Sequence, residues 1–271
     1  MSDIAAQAVD SHAPDAEQPI VEVRGLTKRF GAFTAVDGVD FDLAPARITA
    51  MIGPNGAGKS TCINLLDGAL LPTAGEVLIH GVRVDGRRVH EIAALGVART
   101  FQTPKLFGEM SAVETVMLAR DRFSRSGFIG AALRAPRMRR DELESRRSAL
   151  AWMSFVGLED AAEVSVAQLP VGRQRLLEVG RALACEPEVL LLDEPAAGLD
   201  HTETRQLGQL IRRIASEGVA VLLVEHDMGM VMSIADDVVV IDRGKRIARG
   251  TPAQVGHDPN VVQAYLGAVH E

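Results

Sequence analysis

Gly53-Pro54-Asn55-Gly56-Ala57-Gly58-Lys59-Ser60-Thr61 is the stretch on which the reading of this chain turns. It satisfies G-x-x-x-x-G-K-[ST] at every position, follows the apolar run Ile48 to Ile52, and opens a stretch without breakers, Cys62 to Leu66. Strand, glycine-rich loop and helix is the setting this pattern needs to wrap an anion. Glycines at 53, 56 and 58 let backbone N–H groups turn inward, and the following helix adds the positive end of its dipole. Lys59 is expected to reach the β- and γ-phosphates of a nucleotide, and Ser60 to give its hydroxyl to Mg²⁺. A glycine-rich turn that merely ends in Lys-Ser is the plain alternative, and the flanking elements argue against it.

Composition narrows the field. At 271 residues, with 47% hydrophobic and 24% charged residues, the sequence is that of an ordinary globular protein with a substantial core. A formal net charge of −7 argues against a general nucleic-acid surface, which needs a basic stripe to release counterions. Cys62 and Cys185 lie far apart and make no metal spacing, which fits a reducing compartment. Cys62 follows the phosphate loop, where a helix dipole can activate a thiol, but a small buried filler residue is the favoured reading. Residues 1–19, rich in Ala, Asp, Ser, Gln and Pro, are expected to be a mobile tail without a secretory signal. No apolar run approaches the roughly 20 residues of a membrane span.

Outward from the loop, Ile20 to Arg24, Val36 to Leu43 and Glu76 to His80 alternate apolar and polar residues, which predicts an antiparallel sheet beside the anion site. From about 105 to 168 the pattern turns helical, with Ala112 to Arg120 and Asp141 to Val156 as helices and Pro136 among the interruptions. The arginines at 134, 137, 139 and 140, followed by acids, read as a solvated helix entrance. Beyond it come a helix from Gln174 to Cys185, a buried strand Val189 to Asp193, a helix Thr202 to Ser216, and strands Val219 to Glu225 and Asp237 to Asp242. Alternating β and α elements predict a parallel sheet with ligands at the carboxyl ends of its strands. Asp193, Glu194, Glu225 and His226 all fall at such ends. An apolar strand closing on Asp193-Glu194 places the aspartate beside a metal, directly or through water, and the glutamate where it can polarise an attacking water. A lone His226 at a strand end is more often structural; its functional reading is a hydrogen bond to the γ-phosphate.

Taken together and in this order, these residues resemble the ATP-binding cassette (ABC) ATPases over nearly all of residues 20–267. The resemblance implies an α/β P-loop NTPase fold, a mostly parallel RecA-like core with an antiparallel β-subdomain and an α-helical subdomain, in one domain over 20–271. It implies ATP and Mg²⁺ as ligands, with Gly53, Pro54, Asn55, Gly56, Ala57, Gly58, Lys59, Ser60 and Thr61 around the phosphates. Phe30 resembles the aromatic residue on which adenine stacks. Gln102 resembles the Q-loop glutamine, which touches Mg²⁺ or the attacking water. Gly198-Leu199-Asp200 resembles the loop crossing a dimer seam, with Asp200 near the nucleotide, and His226 the switch histidine. Ser60, Gln102 and Asp193 are then the metal residues, and Glu194, Gln102 and His226 the catalytic ones.

One departure stands out. The family's Leu-Ser-Gly-Gly-Gln segment reads here Leu169-Pro170-Val171-Gly172-Arg173-Gln174. Gly172 keeps a backbone N–H for a phosphate, but proline at 170 supplies neither hydroxyl nor amide. Since each ATP in this family lies between one chain's phosphate loop and the other's signature, a non-identical cassette partner is expected, with a homodimer as the alternative in isolation. Ala98 to Phe107, Leu177 to Arg181, Asp193 to Leu199, Glu225 to Met228 and the ending through Ala264-Tyr265-Leu266-Gly267 resemble ATP-binding subunits of high-affinity branched-chain amino acid importers. That implies transmembrane permease partners, an outer solute-binding protein reached indirectly, and a peripheral place on the cytoplasmic face of the cell membrane. Pro104, Leu106 and Phe107 are expected to line the groove that receives the permease. A soluble cassette acting as a nucleotide-gated clamp is the alternative, and a small-molecule kinase would leave the signature region and His226 without a task.

Overall fold

Alternation of apolar and polar side chains builds the first of two sheets. β1 (Val21–Phe30) buries Val21, Val23 and Leu26, and β2 (Phe33–Leu43) buries Val39, Phe41 and Leu43. They pair antiparallel, with β4 (Ala74–Ile79) on the other side of β1 and β5 (Val82–Arg83) at the edge, in the order β2-β1-β4-β5. The computed structural model describes residues 18–100, 108–120 and 136–267, and for 136–141 and 266–267 the backbone alone. The expected tail at 1–19 lies outside this range apart from Gln18 and Pro19, as do Gln102, Pro104, Leu106, Phe107 and Arg134.

The second sheet runs β10-β9-β3-β8-β7-β6, from β3 (Ile48–Ile52), β6 (Val97–Arg99), β7 (Val189–Asp193), β8 (Ala220–Val224), β9 (Asp237–Asp242) and β10 (Lys245–Gly250). All neighbours are parallel except β10, which returns antiparallel along β9. β3, β7 and β8 are buried at every position, because both faces of the sheet are covered. The two-residue period divides their side chains. Leu190, Leu192 and Leu223 join one core with helices α3 (Ala112–Arg120), α4 (Pro136–Phe155), α5 (Val171–Leu183) and α6 (His201–Ser216). Met51, Leu191 and Leu222 face the other way, into a core shared with α1 (Lys59–Leu66), α2 (Val89–Ala93) and the antiparallel sheet. A third cluster joins Ile52 and Val240 to α7 (Met228–Ile234), α8 (Pro252–Gly256) and α9 (Pro259–Gly267).

Register determines where the loops emerge. Met51 aligns with Val224 and Val224 with Asp193, so the chain leaves β3, β8 and β7 at one edge of the sheet. The antiparallel sheet is fastened at that edge too. Gly244, between β9 and β10, donates its amide to the Ala57 carbonyl at 2.9 Å and accepts from the Asp37 amide at 2.8 Å.

Several boundaries differ from the sequence reading. α4 starts at Pro136 rather than Asp141, because the first helical residue needs no N–H partner. α5 starts at Val171 rather than Gln174, for Pro170 serves as its N-cap. α7 and β10 had no expectation attached: the first is a short helix of about two turns, and the second is a polar edge strand.

Candidate functional site

The loop between β3 and α1 is tightly built. Gly53 and Gly58 have φ of 152° and 107°; a Cβ would come within 1.9 Å of the Ile241 carbonyl oxygen at Gly53 and 2.4 Å of the Ala35 carbonyl oxygen at Gly58. Glycine is demanded at both positions by backbone conformation and by space. Gly58 caps α1 without a side-chain hydrogen bond, so no side chain occupies the helix's first amides, the groups an anion would take. Lys59 is buried and folds over its own loop, donating from Nζ to the Gly53 carbonyl at 2.7 Å and the Pro54 carbonyl at 3.0 Å. Burial lowers its ammonium pKa, while Glu194 and Asp193 pull it back up. Ser60, next in the first turn, is exposed. Cys62 is wholly buried, and burial pushes its thiol up to about 12, which bears out the filler reading.

At the tip of β7, Asp193 is 4% exposed. Its Oδ2 accepts from Arg99 Nη2 at 2.9 Å, and its Oδ1 is buried with no hydrogen-bond partner. Burial raises the Asp193 pKa, and the Arg99 guanidinium opposes that rise. Glu194 follows in left-handed backbone at φ 48°, its amide donating to the Val224 carbonyl at 2.9 Å. A non-glycine residue in that region is strained, and such strain gathers at working sites. Among the described residues no group of three or more His, Cys, Asp and Glu side chains could cage a metal. A cation here would lean on Asp193 Oδ1, the Ser60 hydroxyl, phosphate oxygens and water, which suits Mg²⁺.

Glu225, which the sequence placed at a strand end without a task, organises this edge. It is 1% exposed, and its carboxylate accepts from the Ala196 amide at 2.7 Å, the His226 amide at 3.0 Å and the Asp227 amide at 3.4 Å. One buried anion thereby holds the loop after Glu194 against the loop carrying His226, whose side chain is 60% exposed. A cleft of about 320 Å³ opens beside them, lined by Gly198, Asp200, Thr204, Glu225 and His226 among others.

The remaining sequence-selected residues spread around this edge. Phe30, 47% exposed, ends β1 opposite Phe33, with the Lys28 ammonium 5.1 Å from its ring centre. Asp200 caps α6, accepting from the Thr202 and Glu203 amides, while its own amide donates to the Glu203 carboxylate. The same Glu203 lies against Gly172, where a Cβ would come within 2.3 Å of its Oε1. Two further residues carry a place the sequence did not disclose. Arg99 reaches Asp193 from β6, and the buried Tyr265 hydroxyl faces the Gly53 amide from α9 without completing a hydrogen bond. Their sole sequence signal was membership in quoted segments.

Known proteins resemble this chain over most of its length. The family profile described as ABC transporter matches residues 36–197, and one described as Branched-chain amino acid ATP-binding cassette transporter matches residues 245–271. The chain is 45% identical over 251 residues to the high-affinity branched-chain amino acid transport ATP-binding protein BraF of Pseudomonas aeruginosa, covering 92% of this chain and 98% of that one. To LivG of Escherichia coli K12, of the same description, it is 41% identical over the same shares. The crystal structure of the ADP conformation of MJ1267, an ATP-binding cassette of an ABC transporter, superposes with a TM-score of 0.80 at 28% identity, covering 92% of this chain and 99% of that one.

Proposed function

The chain belongs to the ABC transporter family, and from that premise we propose that its ATPase activity energises an importer of branched-chain amino acids or a closely related small solute. As a cassette of this family it binds and hydrolyses ATP. The observation that carries the assignment of roles is the convergence of Lys59, Asp193, Glu194 and His226 at one sheet edge, beside a loop with no room for a side chain at 53 or 58.

In this reading Gly53 to Thr61 cradle the phosphates and Lys59 turns from its own carbonyls to the β- and γ-oxygens. Phe30 offers its exposed ring to adenine. Ser60 and Asp193, with Gln102, would hold Mg²⁺, which would supply positive charge to offset the charge on the phosphate oxygens. Glu194 orients the attacking water and takes its proton, and His226 contacts the γ-phosphate. We assign residues 20–271 to one cassette domain with a helical portion at about 105–168. Pro170 leaves the segment that would face a partner's nucleotide without a hydroxyl, which supports pairing with a non-identical cassette. Asp200 and Gly172 lie toward that seam. Permease subunits at the cytoplasmic face of the membrane complete the machine, with the Gln102 to Phe107 segment as the contact. Among the described residues no helix is long and apolar enough to cross a membrane.

Glu194→Gln tests the chemistry. ATP binding should stay within about twofold while turnover falls at least about 10²-fold, the scale of a lost catalytic base. Near-normal turnover would refute the role of Glu194. In the reconstituted complex a branched-chain amino acid, with its binding protein, should stimulate turnover; stimulation by an unrelated solute alone would overturn the substrate class.

A further inference from the structure

Arg99 ends β6 with a side chain 11% exposed, and its guanidinium joins three separate elements. Nη1 donates to Asn64 Oδ1 at 2.7 Å and to Asp67 Oδ2 at 2.6 Å; Nη2 donates to Asp193 Oδ2 at 2.9 Å. Asn64 lies in α1, the helix that begins at Lys59, and Asp67 is its C-cap. One planar fork thus ties the far end of the phosphate-loop helix to the acid at the tip of β7. Burying a guanidinium with two carboxylates is costly in desolvation unless the geometry is good, and here each carboxylate receives a short charge-assisted bond. A lysine, with one compact ammonium, cannot span the same three acceptors in a fixed plane.

The two oxygens of Asp193 are treated differently. Oδ2 is held by Arg99, whereas Oδ1 is buried with no hydrogen-bond partner. We propose that Arg99 is a positioning residue for the metal: by fixing Asp193 through Oδ2 it turns Oδ1 toward Mg²⁺ or one of its waters. This rests on the reading of Asp193 as a metal residue. Outer partners of metal ligands typically set metal affinity by about 10–100-fold.

The test is a Mg²⁺ titration of ADP binding by calorimetry, beside ADP binding in EDTA, on the full chain. Arg99→Lys should raise the half-saturating Mg²⁺ concentration about tenfold and leave metal-free ADP affinity within about twofold. Equal Mg²⁺ half-points for the variant and the parent overturn the proposal, and so does a parallel loss of metal-free ADP binding, which marks a purely structural role. If Arg99→Lys does not fold, Asp67→Asn decides. With that carboxylate neutralised the guanidinium charge falls on Asp193, and the half-point should rise about threefold; no rise overturns the proposal. Asp193→Asn separates the two layers. If it leaves the Mg²⁺ half-point unmoved, the metal assignment of Asp193 fails; if it moves the half-point and Arg99→Lys does not, only the role of Arg99 fails.

Discussion

Replacing Glu225 by glutamine changes one atom and should disturb both the loop after Glu194 and the loop carrying His226. Three backbone amides converge on the buried carboxylate, Ala196 on Oε1 at 2.7 Å and His226 and Asp227 on Oε2 at 3.0 and 3.4 Å. A glutamine can present an oxygen to one side; its NH₂ then points hydrogens at the donors on the other. If the oxygen stays with Ala196, the His226 bond and the weaker Asp227 bond are lost and at least one buried donor is left unsatisfied. Hydrogen bonds to charged groups contribute about 1.5–3 kcal/mol each, and an orphaned buried donor costs about 1–3 kcal/mol. We expect a net destabilisation of about 2–4 kcal/mol, read in urea by a shifted midpoint at constant slope. In a chain of this size that corresponds to a melting temperature lower by roughly 5–15 °C. Because the same carboxylate holds the loops of Glu194 and His226, ATP turnover should fall about tenfold or more in conditions where the variant is still folded. A destabilisation below about 0.5 kcal/mol, with unchanged turnover, would refute the idea that this anion ties the two loops together.

Gly58→Ala should abolish measurable nucleotide binding while the chain still folds, since the left-handed backbone costs about 1–3 kcal/mol and the added carbon meets the Ala35 carbonyl; parental ADP affinity by calorimetry would contradict it. Cys62 should resist maleimide at pH 8, with or without nucleotide, and react after unfolding, because a thiol held near 12 carries little thiolate. The sign follows from the raised value: the buried neutral thiol supports folding fully below its ordinary pKa and loses that support as pH climbs toward 12. Rapid native labelling of Cys62, identified by mass spectrometry and blocked by ATP, would contradict this.

Local chemistry alone made much of this protein readable. The phosphate loop was legible because glycine spacing, Lys59 and Ser60 report a backbone shape that no distant residue needs to supply. The parallel strands were legible from unbroken apolar runs such as Val189 to Leu192, since a strand covered on both faces has no polar side to show. Asp193 and Glu194 were legible because they interrupt such a run at its end. Tertiary structure decided what depended on meetings across the chain. Glu225 and Arg99 each look like ordinary charged residues in sequence, and their tasks exist because parallel register brings β6, β7 and β8 to one edge. Tyr265 reaches Gly53 only because α9 packs beside the end of β3. The helix starts at Pro136 and, behind the Pro170 cap, at Val171 were misjudged for a similar reason: a proline breaks a helix or opens one according to whether its missing N–H had a partner to lose, and that depends on where the preceding chain goes.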